Sequence, residues 1–360
     1  VNASVRTLCH TGSHGLNTLI GFLRPVVAGI ATLFVGAIVV NADGPAASPA
    51  AAPVATSQTL RVEETTEPAG WKIFDGDELV AGYLVESNGK PVIYPVVGPS
   101  GQAMTRRFPI ESTGKNERED HQHHRSMWMT HGEVNGFDFW ADEKNQGDIV
   151  QRSGHASVLD DGTAVIVTHN DWISPDGDRV LSDVRRFAFF SDQGRRFIDC
   201  DVLLKATDGD VNFGDTKEGS FGMRLAGTMK VDAKLGGLVT SAEGKINSDA
   251  WGKTSAWVDY SGPVALPSGQ TETAGVTIHD HPGSFGFPCR WHVRTYGLFA
   301  ANPFGKYHFV GGEKTPGVIL KKGSEMQLHY RVVLHDGPLD AQQAAADQKQ
   351  FENTPRPNLE

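Results

Sequence analysis

Between Glu119 and Trp140 the chain reads EDHQHHRSMWMTHGEVNGFDFW, which puts His121, His123, His124 and His131 beside Arg125, Asp138 and Trp140. Four of the chain's 14 histidines fall in this one stretch. Imidazole is the side chain whose charge changes near neutral pH, so a group of them suits proton transfer or metal ligation. On an extended strand His121 and His123 share a face and His124 points away. Any one of these histidines could instead be a satisfied structural hydrogen bonder; the grouping is what points to function.

Two later segments are similarly dense. NFGDTKEGSFGMR (212–224) holds Asp215, Lys217, Glu218 and Arg224, with Gly214 and Gly219 permitting close approach of backbone and ligand. A carboxylate there can act as an acid or base if an apolar wall raises its pKa, or it can belong to a solvated turn with a surface ion pair. IHDHPGSFGFPCRWHVRTYGLFAANPF (278–304) holds His279 and His281, then Trp291, His292, Arg294, Tyr296 and Asn302. His292 and Arg294 share a face if extended, as do His279 and His281. Trp and Tyr beside Arg make a platform that is apolar to a sugar face and polar around its hydroxyls, although Trp291 and Phe304 suit a core equally well.

From these residue types the expected roles follow. His123, His124, His131, Glu218 and His292 form the candidate catalytic set. Arg125, Asp138, Trp140, Arg224, His281, Trp291, Arg294, Tyr296 and Asn302 form the candidate binding set. If a divalent metal is bound, its ligands come from His121, His123, His279 and His281. No cofactor is expected otherwise: the sequence has no GxGxxG, P-loop, GxSxG or HExxH.

The elements that must position these residues read as strands and turns. Leu79–Val85, Val92–Val97, Ala164–Thr168, Arg185–Phe190 and Phe197–Leu204 are rich in Val, Ile and Phe. Asn88-Gly89, Asp161-Gly162, Asp176-Gly177 and Gln193-Gly194 supply the tight turns between such runs. Strands at this spacing without intervening amphipathic helices predict an all-β antiparallel sandwich. One helix is predicted, Leu339 to Phe351, near the C-terminus.

The chain has 360 residues and a formal charge of −10, and no run of like charge stands out; phosphate neutralisation needs a basic face, so nucleic acid is not an expected partner, although local basic pockets are compatible with the sequence. Arg6, His10 and Arg24 precede an apolar run, Val26 to Val40, and then Val40-Asn41-Ala42. This predicts a signal peptide over 1–42, with an uncleaved anchor as the alternative. Residues 43–58 are Ala/Pro-rich and read as a linker, 59–352 as a single β-sandwich domain, and 353–360 as a tail. The expected location is secreted or periplasmic, with no stable membrane insertion of the mature chain. Cys200 and Cys289 fit a bridge or two buried thiols, and no metal motif.

Three stretches, DHQHHRSMWMTHGEVNGFDFW (120–140), GDTKEGSFGMRLA (214–226) and DHPGSFGFPCRWHVRTYGLFAANPFG (280–305), resemble a family of exported bacterial proteins that often carry the label methane oxygenase PmoA. The likeness runs from about Trp71 to the terminal helix, and departs from the family at Ser284 and Phe285, where Asn-Pro is expected. The label conflicts with the sequence, since a membrane methane-oxidising subunit spans the bilayer repeatedly and this chain has one hydrophobic segment. The resemblance implies the large antiparallel supersandwich of sugar mutarotases and some polysaccharide lyases. Together these readings predict an exported carbohydrate-active enzyme that cleaves a glycosidic bond by hydrolysis or elimination. The rival expectations are a non-catalytic carbohydrate-binding protein and a metal-dependent enzyme with histidine ligands.

Overall fold

The computed structural model describes residues 59–141 and 145–359, so the predicted signal (1–42) and linker (43–58) lie outside the described residues. Its strands in chain order are β1 (Arg61–Thr66), β2 (Ala69–Asp75), β3 (Glu78–Leu84), β4 (Val92–Val96), β5 (Met127–His131), β6 (Asp148–Val158), β7 (Ala164–Ile173), β8 (Arg179–Asp192) and β9 (Arg195–Lys205). They continue as β10 (Val211–Phe213), β11 (Gly219–Arg224), β12 (Leu238–Ser241), β13 (Trp257–Ala265), β14 (Thr271–Asp280), β15 (Arg290–Val293), β16 (Leu298–Asn302), β17 (Val318–Leu320) and β18 (Glu325–Asp336). A short helix, α1 (Tyr307–Val310), and a terminal one, α2 (Ala341–Glu352), complete the elements used below.

The strands form two eight-stranded antiparallel sheets, in the orders β1-β2-β3-β4-β5-β11-β16-β15 and β12-β13-β14-β18-β9-β8-β7-β6. This is the all-β antiparallel supersandwich with a short C-terminal helix that the sequence predicts. The turn dipeptides sit at the hairpin bends: Gly162, Gly177 and Gly194 all have positive φ, which only glycine adopts without a Cβ penalty.

Alternation decides which side chains meet. Ile73, Met127, Met129, Phe221, Met223 and Phe299 of the first sheet face Phe187, Ile198, Val202, Tyr260, Ile278 and Tyr330 of the second in one core. Phe221 stacks on Tyr330 across that interface at 4.9 Å, and Tyr83 meets Phe187 at 6.0 Å. The remaining positions of each strand point outward. Cys200 and Cys289 are buried free thiols, which burial pushes well above the usual thiol range.

On the outer face of the second sheet lies α2, capped by Asp340, whose carboxylate accepts from the backbone N–H of Gln342 and Gln343. The tail follows it onto that face: Arg356 rests over the Phe351 ring, and Leu359 packs with Val184 and Leu203. The outer face of the first sheet carries the histidine segment.

Candidate active site on the outer face of the first sheet

Register builds the floor of the site. Val92 pairs with Trp128, Trp128 with Gly222, Gly222 with Ala300, and Ala300 with His292, so five strands put these residues in one transverse row on one face. Gly222 has no room for a side chain: a Cβ there would meet Trp128 Cζ2 at 2.9 Å and Trp140 Cη2 at 3.1 Å. Both indoles therefore pack over Gly222, meeting each other edge-on at 5.1 Å, and form with Val92, Tyr94, Leu298 and Ala300 a second apolar cluster separate from the main core.

The histidine segment is a tight loop, not a strand, which corrects the extended reading. His121 and Ser126 have positive φ, and His124 N–H donates to the His121 carbonyl at 2.9 Å. All three rings consequently gather on one side. His124 stacks on Trp128 at 5.3 Å, His121 stacks on His124 at 4.8 Å, and His123 meets His124 edge-on at 4.4 Å. Arg106, almost fully buried, holds the loop by donating to the carbonyls of Arg118, Asp120, His121 and His124. Five guanidinium donors in a fixed fork suit this task.

Arg224 joins the loop to the sheet. Its Nη1 donates to His124 Nδ1 at 3.0 Å and its Nη2 to Asp120 Oδ1 at 2.8 Å. Arginine can only donate, so His124 Nδ1 is an acceptor and the ring proton of neutral His124 sits on Nε2, a buried atom with no hydrogen-bond partner. That tautomer makes Nε2 a donor and leaves His124 no free basic nitrogen. Arg224 also lies over Tyr296 at 4.7 Å, on which His121 stacks at 5.4 Å.

Tyr296 links this flank to the other one. Arg294 lies between Tyr296 (5.6 Å) and Trp251 (5.5 Å), and Trp251 meets Phe309 edge-on at 5.3 Å. Phe309 packs at 6.0 Å against His292. His292 Nδ1 has no hydrogen-bond partner, and Glu218 Oε2 stands 3.9 Å away; Glu218 itself pairs with Lys217. At about 4.8 Å per strand, Trp128 and His292 are roughly 14 Å apart across the row. The two histidine-bearing segments share a face but do not touch through His124 and His292.

Burial sets the charge state. It pushes His123 down to about 3, with Lys90 and His121 adding to the effect, and His292 down to about 3, with Lys217 and Arg294 adding. His124 falls well below the usual imidazole range by burial and His123. Burial pushes Asp120 up, but Arg224, His121 and Arg106 outweigh it and hold the carboxyl below its ordinary value. Burial also lowers Lys217 and Lys230, helped by Arg294 and by Arg118 respectively. The imidazoles are thus neutral at pH 7, and the full charges on this face are mostly cationic.

Several expected site residues are elsewhere or already committed. His131 is buried between Phe213 and Phe304, with Nε2 at 2.8 Å from the Gly214 carbonyl and Nδ1 at 3.2 Å from Ser220 Oγ, so both nitrogens are used. Trp291 faces the main core and donates to the Ser255 carbonyl. Trp140 is buried in the floor, and Asp138 accepts from the N–H of Trp140 and Ala141. Asn302 pins two loops, accepting from Phe304 and Gly305 N–H and donating to the Thr216 carbonyl. Arg125 is committed to Ser87, donating from Nη1 to its Oγ at 3.0 Å. His279 and His281 sit under α2, at Gln348 and at the Glu352 carbonyl. The metal set His121, His123, His279 and His281 is therefore split between the two sheets, and among the described residues no group of three or more His, Cys, Asp or Glu is arranged to hold a metal.

Sequence reasoning missed Arg106, Asp120, Trp128, Lys230 and Trp251, and named Lys217 without giving it a role. Asp120 and Trp128 stood inside the histidine segment and only lacked a role. Arg106 lies 15 positions before His121 and enters through its hydrogen bonds to the loop carbonyls, and Trp251, distant in sequence, enters through Arg294.

Fold and site define a large antiparallel β-sandwich with a basic, histidine-rich face on its first sheet. The chain belongs to a family of unknown function (DUF6807), matched over residues 71–349. No curated protein matches it. Among solved structures it is similar to a glycoside hydrolase family 97 enzyme in complex with acarbose from Pseudoalteromonas sp. strain K8, at 10% identity over 79% of this chain and 35% of that one, with TM-score 0.32. It is also similar to the α-galactosidase from Lactobacillus brevis (11% identity, 83% and 43% covered, TM-score 0.39) and to the galactosidase domain of α-galactosidase-sucrose kinase, AgaSK (9%, 77% and 42%, TM-score 0.37). The chain spans less than half the length of each, and likenesses at such scores say nothing of its activity. Among the described residues no helix is long and apolar enough to cross a membrane.

Proposed function

We propose that this protein is an exported carbohydrate-active enzyme that breaks a glycosidic bond, by hydrolysis or elimination, on the outer face of its first sheet. The observation that carries this reading is the pair His292 and Glu218: a buried imidazole with a free Nδ1, 3.9 Å from a half-buried carboxylate. Such a pair supplies the two proton carriers that either reaction needs, one to take a proton and one to return it to the leaving oxygen. His121, Tyr296 and Trp251 add aromatic rings around it, the surface against which a sugar face packs. His124 serves as a donor held by Arg224, and Arg106 and Arg224 are positioning residues.

A polysaccharide screen tests this directly. New reducing ends without ultraviolet absorbance indicate hydrolysis, and an absorbing unsaturated end indicates elimination. Activity that survives chelator fits a metal-free pair; abolition by chelator transfers the role to a metal. Binding without any product would make the protein a carbohydrate-binding one. N-terminal sequencing of the protein from its host tests export, with a start near Asp43 expected.

A further inference from the structure

Arg294 differs from the other cations of this face. Arg106 and Arg224 share Asp120, and Lys217 pairs with Glu218. Among the described residues no carboxylate is in ion-pair range of the Arg294 guanidinium, which is held only by the Trp251 and Tyr296 rings. Those rings fix its direction, so little side-chain freedom is left to lose on binding. Beside it stand Lys217, a second cation that it disfavours, and two buried atoms without partners, Trp251 Nε1 and His292 Nδ1. An unpaired guanidinium beside a second cation and an unmet indole N–H is unfavourable unless something negative completes it. The chain as a whole carries −10, so this local excess does not reflect its overall composition.

We infer that the ligand of this face is an acidic saccharide, whose anionic substituent is bound by Arg294 with Lys217 beside it. The inference rests on the carbohydrate reading above and adds the class of sugar. A planar guanidinium matches a carboxylate bidentately and also takes a sulfate. The choice has a chemical consequence at the neighbouring pair. Lys217 and Arg294 both disfavour protonation of His292, so an anion that neutralises them makes His292 a better proton acceptor in the bound state than in the free one.

Binding of the full chain to polymers of matched backbone decides the matter. Polygalacturonate is compared with its carboxyl-reduced counterpart, and dextran sulfate with dextran, at low salt and at about 0.3 M salt. The acidic member of at least one pair should bind about tenfold or more tighter, with the preference shrinking in salt. A carboxylate ligand shows in the first pair and a sulfate in the second. Arg294→Gln and, separately, Lys217→Gln should remove most of that preference without lowering affinity for the neutral member, and Arg294→Lys should restore part of it. Thermal unfolding verifies that each variant is folded. Equal binding of acidic and neutral partners, or an equal loss on both in Arg294→Gln, overturns the inference and leaves the carbohydrate reading intact. No binding to any polymer overturns both.

Discussion

The outer faces of the two sheets carry similar residues and use them oppositely. On the second sheet, His279 pairs across strands with Arg331 and Arg331 with Asp199, while His329 pairs with Asp201 and Asp201 with Arg186. Each charge has its counter-charge directly opposite: Arg331 donates to both Asp199 oxygens at 2.6 and 2.8 Å, and His329 Nδ1 stands 2.8 Å from Asp201. Helix α2 and the tail then cover the row. On the first sheet the corresponding row is Trp128, Gly222, Ala300 and His292, with cations left over and polar atoms unmet. Cross-strand pairing of opposite charges stabilises a sheet, and a face that forgoes it is held for something other than stability. Histidine content alone does not separate the two faces; partners do.

The sharpest break of that contrast is at the unmet pair. His292→Gln or Glu218→Gln should lower turnover by about 10²–10⁴, because a positioned acid or base is lost, while the melting temperature falls only slightly: glutamine keeps most of the side-chain volume, and the Lys217 that Glu218→Gln leaves unpaired is itself partly exposed. The paired face should respond the other way. Asp199→Ala leaves the Arg331 guanidinium buried without its carboxylate and should cost about 3–5 kcal/mol in denaturant unfolding, with ligand affinity intact. If Asp199→Ala impaired activity more than stability, the assignment of the two faces would be reversed.

Acid titration separates the faces less strongly. Burial holds His131 and His279 down to about 4 and His292 to about 3, whereas an unfolded histidine titrates near 6.5. The unfolded chain therefore binds these protons first as pH falls. Stability from the three groups is fully present above about pH 6.5 and is lost as pH falls toward their folded values, by at most about 1.4 kcal/mol per pH unit for each. Asp280 works in the opposite direction. Burial raises it to about 6, so its unfolded carboxyl ionises first and it favours the folded state only at low pH, fading as pH rises from about 4 to 6. The melting temperature should thus decline steadily from about pH 6.5 downward, partly offset by Asp280. His279→Gln should flatten the decline by about one proton's worth; an unchanged slope would place that proton elsewhere.

The sandwich was legible because its signals are local. Turn dipeptides, β-branched runs and the Asp340-capped helix each act within a few residues, and the observed strands Glu78–Leu84, Val92–Val96 and Arg195–Lys205 fall close to the expected ones. The site was legible only in part. Residue type brought out His292, Glu218, Arg294 and Tyr296, but it also brought out His131, Trp291 and Asn302, which serve packing and loop closure. What tells these apart is whether a hydrogen-bond partner from a distant strand is present, and that depends on register between residues up to a hundred positions apart, such as Arg224 and His124. The loop conformation of 121–126 escaped for a different reason: it depends on Arg106 gathering four carbonyls, and no local pattern announces that.

The smallest effect is expected at Gly222, and it tests whether floor and rim are coupled. A methyl group there would stand 2.9 Å from Trp128 Cζ2, 3.0 Å from Cε2 and 3.1 Å from Trp140 Cη2, so both indoles must lift. Overpacking of this kind costs about 1–3 kcal/mol, less than an orphaned buried charge. Trp128 carries the stacked His124, which carries His121, which in turn packs on Tyr296. If the ladder is rigid, Gly222→Ala should weaken ligand binding severalfold in proportion to this displacement, while His292 and Glu218, on the other flank, keep their turnover once ligand is bound. A KM increase with kcat preserved is the expected signature. A fall in kcat alone would mean that the floor positions the proton carriers, and the two flanks of the face would have to be treated as one unit.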